Sequence, residues 1–344
     1  MAHYLVTGHT GFKGSWLTLL LKSRGHNVSG LALDPPSGGL FEQAEVARDL
    51  EYDLRVDIRN RDEVIRSFER VKPDFVIHMA AQALVREGYR NPVATYETNV
   101  NGTLHVLQAS DLTPSIEAQL IVTTDKVYRD DGLDRPYVES DPLGGKDPYS
   151  ASKVGADVMA QEFFENERTK PGLVVRGGNV VGAGDVSRDR LIPDLLSSAR
   201  EGTPLLLRYP NAVRPWQHVL DCLDGYLAVL ARANRGVSAS HAWNIGPSEE
   251  SSFSVQQVVD FARDLAGLDS LEATVQPSDL VETNLLSIDS GRAQRELGWR
   301  NRLDLLNTLS MALVTPAPGT AGGLRSVVET QLQQFESLEG SAVS

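Results

Sequence analysis

The sequence holds a single cysteine, Cys222, among 344 residues. No intramolecular disulfide can form, which fits a reducing compartment. Cys222 stands in the stretch VLDCLDGYL and reads as a small buried apolar residue. Positive charge is in deficit: 33 Lys and Arg face 46 Asp and Glu, for a formal net charge of −13, and no block of consecutive Lys or Arg occurs. No nucleic-acid partner is expected, because phosphate-backbone binding needs a concentrated basic face. A small anionic ligand needs only a few converging arginines and stays open. No apolar run approaches the roughly 18–20 residues that span a bilayer, so no membrane span is expected. The chain opens almost directly on the apolar YLVTG, without the charged, apolar, small-residue order of a signal peptide. A cytoplasmic location is the expectation. No His/Cys cluster has metal-ligand spacing, so no metal is expected. No internal repeat is found.

What is present is an alternation of apolar strands and amphipathic helices. Strands are predicted over 4–6, 26–33, 54–57, 74–79, 119–123 and 172–176. Helices are predicted over 14–24, 61–70, 91–109 and 147–166. Helices of this length between strands imply parallel βαβ units, hence an α/β fold with a Rossmann-type doubly wound parallel sheet. After Arg176 glycine and proline become frequent and the strands short. This half reads as a smaller α/β C-terminal substrate lobe, with helices over 253–266 and 290–297 and a strand end at 243–247. The expected division is 1–177 as the dinucleotide-binding domain, with 219–242 returning to it through a helix over 220–232. The lobe is then 178–218 plus 243–314. The remainder, 315–344, is a linker and tail, with a Pro- and Gly-rich stretch at 315–323, a helix over 325–338 and loose final residues.

The first strand runs into Thr7-Gly8-His9-Thr10-Gly11-Phe12-Lys13-Gly14 and then a helix. Glycines there let backbone N–H groups approach a pyrophosphate, and the helix N-terminus adds partial positive charge. Gly8, Thr10, Gly11, Phe12 and Gly14 are therefore candidate cofactor residues. Asp34 lies twenty residues beyond Gly14, at the end of the second strand. A carboxylate there accepts both ribose hydroxyls and repels a 2′-phosphate, which selects NAD over NADP. Asp57 and Ile58, after the third strand, are placed to bracket an adenine. Ala80, Ala81 and Gln82 follow the fourth strand and leave room for the cofactor backbone.

Tyr149 and Lys153 are spaced i, i+4 on one face of a predicted helix. An ammonium beside a phenol favours phenolate, making Tyr149 a candidate general base. Thr124, Asp125 and Lys126 follow the fifth strand, where an open α/β sheet binds its ligand. A simple dehydrogenase needs only the hydroxyl and the tyrosine, so the adjacent acid suggests a further proton transfer. His78, inside FVIHM, reads as structural.

These residues carry a resemblance. GHTGFKGSWL, AAQALVREGYRNPVATYETNVNGT, TTDKVY, PLGGKDPYSASK, RGGNVVGAGD, DRLIPD and NAVRPWQHVLD resemble the CDP-glucose 4,6-dehydratases, within the extended short-chain dehydrogenases. The likeness runs from about residue 4 to 299. It implies a tightly held NAD, reduced and reoxidised within each turnover, and a homodimer. Tyr149 would take the proton of the sugar 4-hydroxyl as hydride leaves C4, with Thr124 bonded to the same oxygen. Asp125 would protonate the departing 6-hydroxyl, and hydride would return to C6, giving a 4-keto-6-deoxy sugar. Lys126 stands where related dehydratases carry Glu, and serves either as the base at C5 or as an enolate stabiliser. Asn99 falls in a matching motif and joins the cofactor set. Asn179, Arg190, Arg208 and Arg214 fall in motifs that imply contact with the nucleotide sugar, the guanidinium forks suiting a diphosphate. Two segments depart from that branch: GAGDVS replaces a GGGDW pattern, and ETNLLSID lacks its aromatic and His residues. A nucleotide-sugar 4-epimerase would share the cofactor loop, Thr124, Tyr149 and Lys153 but would not need Asp125. A non-catalytic NAD sensor would not need the tyrosine–lysine pair.

Overall fold

Short, largely apolar strands set the frame. The computed structural model describes residues 1–132, 135–165, 170–187, 189–233, 241–247, 252–276, 286–315 and 323–338. The strands are β1 (His3–Thr7), β2 (Asn27–Ala32), β3 (Asp53–Arg55), β4 (Phe75–His78), β5 (Ala118–Val122), β6 (Gly172–Gly177), β7 (Val180–Val181), β8 (Leu205–Leu207), β9 (Val213–Pro215), β10 (Gln217–His218), β11 (Ala242–Ile245), β12 (Ser252–Ser254) and β13 (Ala273–Val275). Seven of them form one sheet in the order β11-β6-β5-β4-β1-β2-β3, and every pairing in it is parallel. Strands β5 and β6 are buried along their whole length. Both faces of such a sheet are covered by helices, so these strands read as continuous apolar runs rather than alternating ones.

The helices are α1 (Phe12–Ser23), α2 (Leu40–Gln43), α3 (Arg61–Val71), α4 (Val85–Arg90), α5 (Pro92–Tyr96), α6 (Gly102–Asp111), α7 (Pro148–Glu165), α8 (Leu191–Glu201), α9 (Val219–Ala233), α10 (Val255–Ala266), α11 (Gly291–Leu297), α12 (Leu305–Ala312) and α13 (Gly323–Ser337). Val64 and Phe68 of α3 and Val106 of α6 pack on Leu5, Leu31 and Val76 of one sheet face, and Ala160 and Phe164 of α7 continue that layer over Ile121 and Val174. Trp16 and Leu20 of α1 and Val229 of α9 cover the other face. Helix starts follow capping chemistry: Asn60 accepts from Glu63 N at α3, Ser254 and Gln257 form a reciprocal box at α10, and Asp304 caps α12. A smaller core joins α8 and α10 to β8 through Leu195, Leu205, Val259 and Ala262.

Several elements differ from the sequence expectation. The helix expected over 91–109 is broken into α5, a π-helical turn at Glu97–Asn101, and α6. The widened turn coincides with Asn99, whose carboxamide is tied to Gln82 rather than to its own helix. Strand β11 pairs with β6 in the large sheet, so residues 243–245 lie with the main sheet and not in the lobe. Its sequence, AWNI, is too short to show which sheet it joins. Helix α8 begins Leu-Ile-Pro, and the proline, tolerated in a first turn, masks the helical pattern. The final helix, expected over 325–338 as part of a tail, runs Gly323–Ser337 and is docked on the main body: Leu324, Val328, Leu332 and Phe335 are buried in the same core as Trp16 and Leu20. Most of the expected linker, 316–322, the last residues, 339–344, and the first half of ETNLLSID, 282–285, lie outside the described residues.

Candidate active site

One cleft of about 1610 Å³ runs along the carboxyl ends of the sheet strands. At one end β1 turns into α1. Gly8 has φ +77, and a Cβ on it would stand 2.8 Å from Ala80 N. A Cβ on Gly14 would stand 2.2 Å from Gly8 O and 2.6 Å from His9 Cα, both backbone atoms. The loop is thus folded tightly against the β4 end and against its own helix. Helix α1 starts at Gly11 with no side chain capping it, which leaves its first amides for a ligand. Thr10 Oγ1 donates to Leu33 O at 3.0 Å and pins the loop to β2. Gly8, Thr10, Gly11, Phe12 and Gly14 all line the cleft, as do Asp34, Asp57, Ile58, Ala80 and Ala81. This loop, with a free helix N-terminus and a carboxylate at the β2 end, fits a dinucleotide.

Details of that end were not visible in the sequence. Asp34 is exposed, and its Oδ1 lies 3.7 Å from Arg55 Nε. Asp57 is gripped by Arg59 at 2.6 Å, which holds its carboxyl below the usual range. Gln82 and Asn99 do not line the cleft. Asn99 Oδ1 accepts from Gln82 N at 2.8 Å, and its Nδ2 donates to Gln82 O and to Ser152 Oγ. Asn99 therefore fixes the backbone after β4 against α7. Behind it, Thr103 Oγ1 donates to Asn99 O and Thr7 Oγ1 accepts from Met79 N and Ala80 N. Both hydroxyls also contact the His78 ring, at 3.0 and 2.7 Å. His78 is the structural residue expected; burial pushes it down to about 3, so it is neutral.

The chemistry-bearing side chains meet where β5 ends and α7 begins. Asp147 accepts from Ser150 N at 2.9 Å and starts α7, which presents Tyr149 and Lys153 one turn apart. Both line the cleft with Thr124 and Lys126. Burial raises Tyr149 to about 12, opposed by a hydrogen bond with Thr124 and by the charge of Arg190. Lys153 Nζ donates to Val122 O at 2.7 Å, and burial lowers it to about 8. Arg190, from the far wall, also favours the phenolate through its charge.

Asp125 begins a single 3-10 turn, Asp125–Val127, and sits just behind the cleft wall at 1% exposure. Thr124 Oγ1 donates to its Oδ1 at 3.0 Å. Its Oδ2 has no partner among the described residues. Burial raises its pKa although Lys126, Lys13 and Arg214 all pull the other way. Burial of this kind shifts a carboxyl toward its protonated form, the form that can give a proton.

Beneath the site, Arg176 forks onto Asp157 through two bonds, at 2.9 and 2.8 Å, and donates to Tyr128 Oη at 3.0 Å. Thr123 Oγ1 also donates to Asp157, at 2.9 Å. This network locks α7 to β5 and β6. Asn179, Arg190, Arg208 and Arg214 line the opposite part of the cleft. Arg190 pairs with Asp185 at 3.4 Å, and Arg214, nearly buried on β9, directs its charge at Asp125.

Two cleft residues escaped the sequence reading. Lys13 Nζ donates to Tyr226 Oη at 3.2 Å, and its charge reaches Asp125 and Lys153. Arg86, on α4, faces Arg208 across the cleft. Lys13 stands between Phe12 and Gly14 in the cofactor loop and Arg86 in the stretch ALVREGYR after the fourth strand; a cation close behind a strand end was the available signal. Among the described residues no group of His, Cys, Asp or Glu could hold a metal ion, and no helix is long and apolar enough to cross a membrane.

Comparison with known proteins places this geometry. The model of the NAD dependent epimerase/dehydratase family matches residues 4–246. The chain is 42% identical over 314 residues to a CDP-glucose 4,6-dehydratase of Salmonella typhimurium, covering 88% of this chain and 87% of that one. It is 30% identical over 260 residues to a dTDP-glucose 4,6-dehydratase of Xanthomonas campestris, covering 73% and 72%. Among solved structures, a UDP-glucose 4-epimerase of Thermotoga maritima with UDP-glucose superposes with a TM-score of 0.80 at 23% identity, over 90% of this chain and 97% of that one. A dTDP-glucose 4,6-dehydratase of Bacillus anthracis in complex with NAD gives 0.77 at 24% identity, over 91% and 96%. The structural likenesses speak to the fold, and the sequence matches reach further. With its cofactor loop, its Tyr149–Lys153 helix and these matches, the chain belongs to the NAD-dependent epimerase/dehydratase family.

Proposed function

We propose that the protein is a hydro-lyase that converts CDP-glucose to CDP-4-keto-6-deoxyglucose with NAD held in the β1–α1 cleft. The observation that carries the reading is Asp125: a buried carboxyl with a raised pKa, bonded to Thr124, which in turn bonds Tyr149. An epimerase has no use for an acid at that point, whereas loss of the 6-hydroxyl as water requires one. The 42% identity to the Salmonella typhimurium enzyme supports the nucleotide and the sugar.

NAD, when bound, supplies the acceptor and donor of the hydride exchanged with the sugar. Gly8, Gly11 and Gly14 with the α1 N-terminus hold its pyrophosphate, and Asp34 the adenosine ribose. Tyr149, hydrogen-bonded to Thr124, takes the proton of the 4-hydroxyl, helped by the charge of Arg190. Asp125 delivers its proton to the departing 6-hydroxyl. Lys126 stands beside it on the cleft wall, on the C5 side of the sugar: as the amine it accepts the C5 proton, and as the ammonium it instead stabilises the enolate left when that proton passes to water. Residues 178–218 and 246–314 form the nucleotide-sugar lobe, with Asn179, Arg190, Arg208 and Arg214 toward the nucleotide. The active form is a homodimer joined through Val93, Tyr96, Leu104 and Val158, large apolar side chains left exposed on α5, α6 and α7. The single buried thiol suits a cytoplasmic setting.

Incubation of the purified protein with CDP-glucose, followed by mass spectrometry, tests this. The expected result is loss of one water from CDP-glucose, with UDP-, GDP- and dTDP-glucose unchanged. Loss of water from another nucleotide sugar would keep the reaction and discard the substrate. A new isomer of unchanged mass would make the protein an epimerase.

A further inference from the structure

Two guanidinium groups from opposite walls of the cleft converge on one carboxylate oxygen. Asp189 Oδ1 accepts from Arg208 Nη2 at 2.9 Å and lies 3.2 Å from Arg86 Nη1. Arg86 comes from α4, beside the main sheet, and Arg208 follows β8, at the other side of the cleft; all three residues line it. Asp189 is held at φ +63, a left-handed backbone that costs an L-residue energy and that Asp and Asn tolerate better than most. A second acid, Asp194, faces the same pair: burial raises its pKa, Arg208 and Arg86 oppose this, and Asp189 adds to it. Two planar forks aimed at a single oxygen is the arrangement that binds a phosphate oxygen.

We propose that Asp189 is an internal competitor for the substrate's diphosphate. It occupies Arg86 and Arg208 when no nucleotide is present and is displaced when the diphosphate binds, which makes Arg86 a further substrate-binding residue. The proposal rests on the nucleotide-sugar reading given above. A protein whose arginines are engaged by its own carboxylate binds ligand with an apparent affinity reduced by the fraction of molecules so engaged.

Calorimetric titration of the NAD-loaded protein with CDP, inorganic pyrophosphate and cytidine tests it, using the wild type, Asp189→Asn and Arg86→Gln. Asparagine keeps the tolerance for positive φ and removes the charge. Asp189→Asn is expected to tighten CDP and pyrophosphate by about three- to tenfold. Arg86→Gln is expected to weaken both by about tenfold or more. Cytidine, without phosphate, changes in neither. Unchanged or weaker CDP and pyrophosphate binding in Asp189→Asn would overturn the competition, and unchanged binding in Arg86→Gln would remove Arg86 from the site. An equal gain for cytidine would mean a loosened pocket and also overturn it. The same pattern with UDP or dTDP, in a protein that ignores CDP, would keep the competitor and discard the cytidine nucleotide.

Discussion

At the scale of single residues the site is a balance between burial and a few placed charges. Asp125 shows it best. Three cations lie close enough to lower its pKa, yet burial wins and raises it. Burial favours the neutral acid, while Lys13, Lys126 and Arg214 favour the anion, and the balance between them sets how readily the carboxyl gives its proton. The variant Asp125→Asn preserves shape and the bond from Thr124 but has no acidic proton to give. It is expected to retain NAD and to cut water elimination by about 10²–10⁴-fold, the range of a general acid. Bound-nucleotide absorbance and product mass measure the two separately. Dehydration at the wild-type rate would remove Asp125 from its role. Tyr149 is a parallel case: burial raises it, and the Arg190 charge opposes burial, while Lys153, the group expected to activate it, has one of its three N–H donors fixed on Val122 O. The Tyr-x-x-x-Lys spacing was legible; the direction of the ammonium depends on a strand carbonyl that no spacing reveals.

At the scale of elements, the strand–loop–helix unit β1–α1 is the part most constrained by backbone approach. Gly14 lies within α1 at ordinary helical angles, so its requirement is space alone. An alanine there sets a Cβ 2.2 Å from Gly8 O, and backbone cannot step aside as a side-chain tip can. Gly14→Ala is expected to spread the loop, lower the NAD carried by the purified protein, and cost about 1–3 kcal/mol of stability, as overpacking does. Nucleotide released on denaturation and the thermal midpoint report both effects; full NAD occupancy with an unchanged midpoint would contradict it. The six leading strands and their helices were readable because apolar runs alternated with amphipathic segments of standard length. The π turn at Glu97–Asn101 was not, because its cause is the distant Gln82 backbone. Nor was the docking of α13. Its apolar stripe is visible, but the groups that anchor it, Arg24 on Glu336 and Asp49 on Arg325, lie some 280 to 310 residues earlier in the chain, a separation no local pattern carries.

Across the whole molecule, buried titratable groups tie its stability to pH. His78 and His218 are pushed down to about 3 by burial. His218 Nδ1 accepts from Leu220 N at 3.2 Å, so protonating it would break a bond as well as bury a charge. A histidine with a depressed folded pKa contributes stability that is present above the unfolded value of 6.5 and is lost as pH falls toward 3. Asp221 runs the other way. Burial raises it to about 7, against the backbone N–H groups of Arg302 and Leu303 that its oxygens accept, at 2.7 and 3.2 Å. A carboxyl with a raised folded pKa contributes stability that is full below 3.8 and is lost as pH rises through 7. Between pH 4 and 6.5 the two histidines, with His3, His9 and His26, all lowered by burial, pull stability down on acidification, while Asp221 and three further acids that burial raises, Asp125, Glu139 and Asp194, pull it up. The wild-type slope is therefore a difference between opposing sets, and removing one member reads its share. Asp221→Asn removes one opposing acid and should shift the slope toward greater loss on acidification by up to about one proton, ~1.4 kcal/mol per pH unit, whatever it does to stability at a single pH. Urea unfolding of both proteins at pH 5, 6 and 7 measures the slopes. Equal slopes in the two proteins would show that Asp221 is ionised throughout.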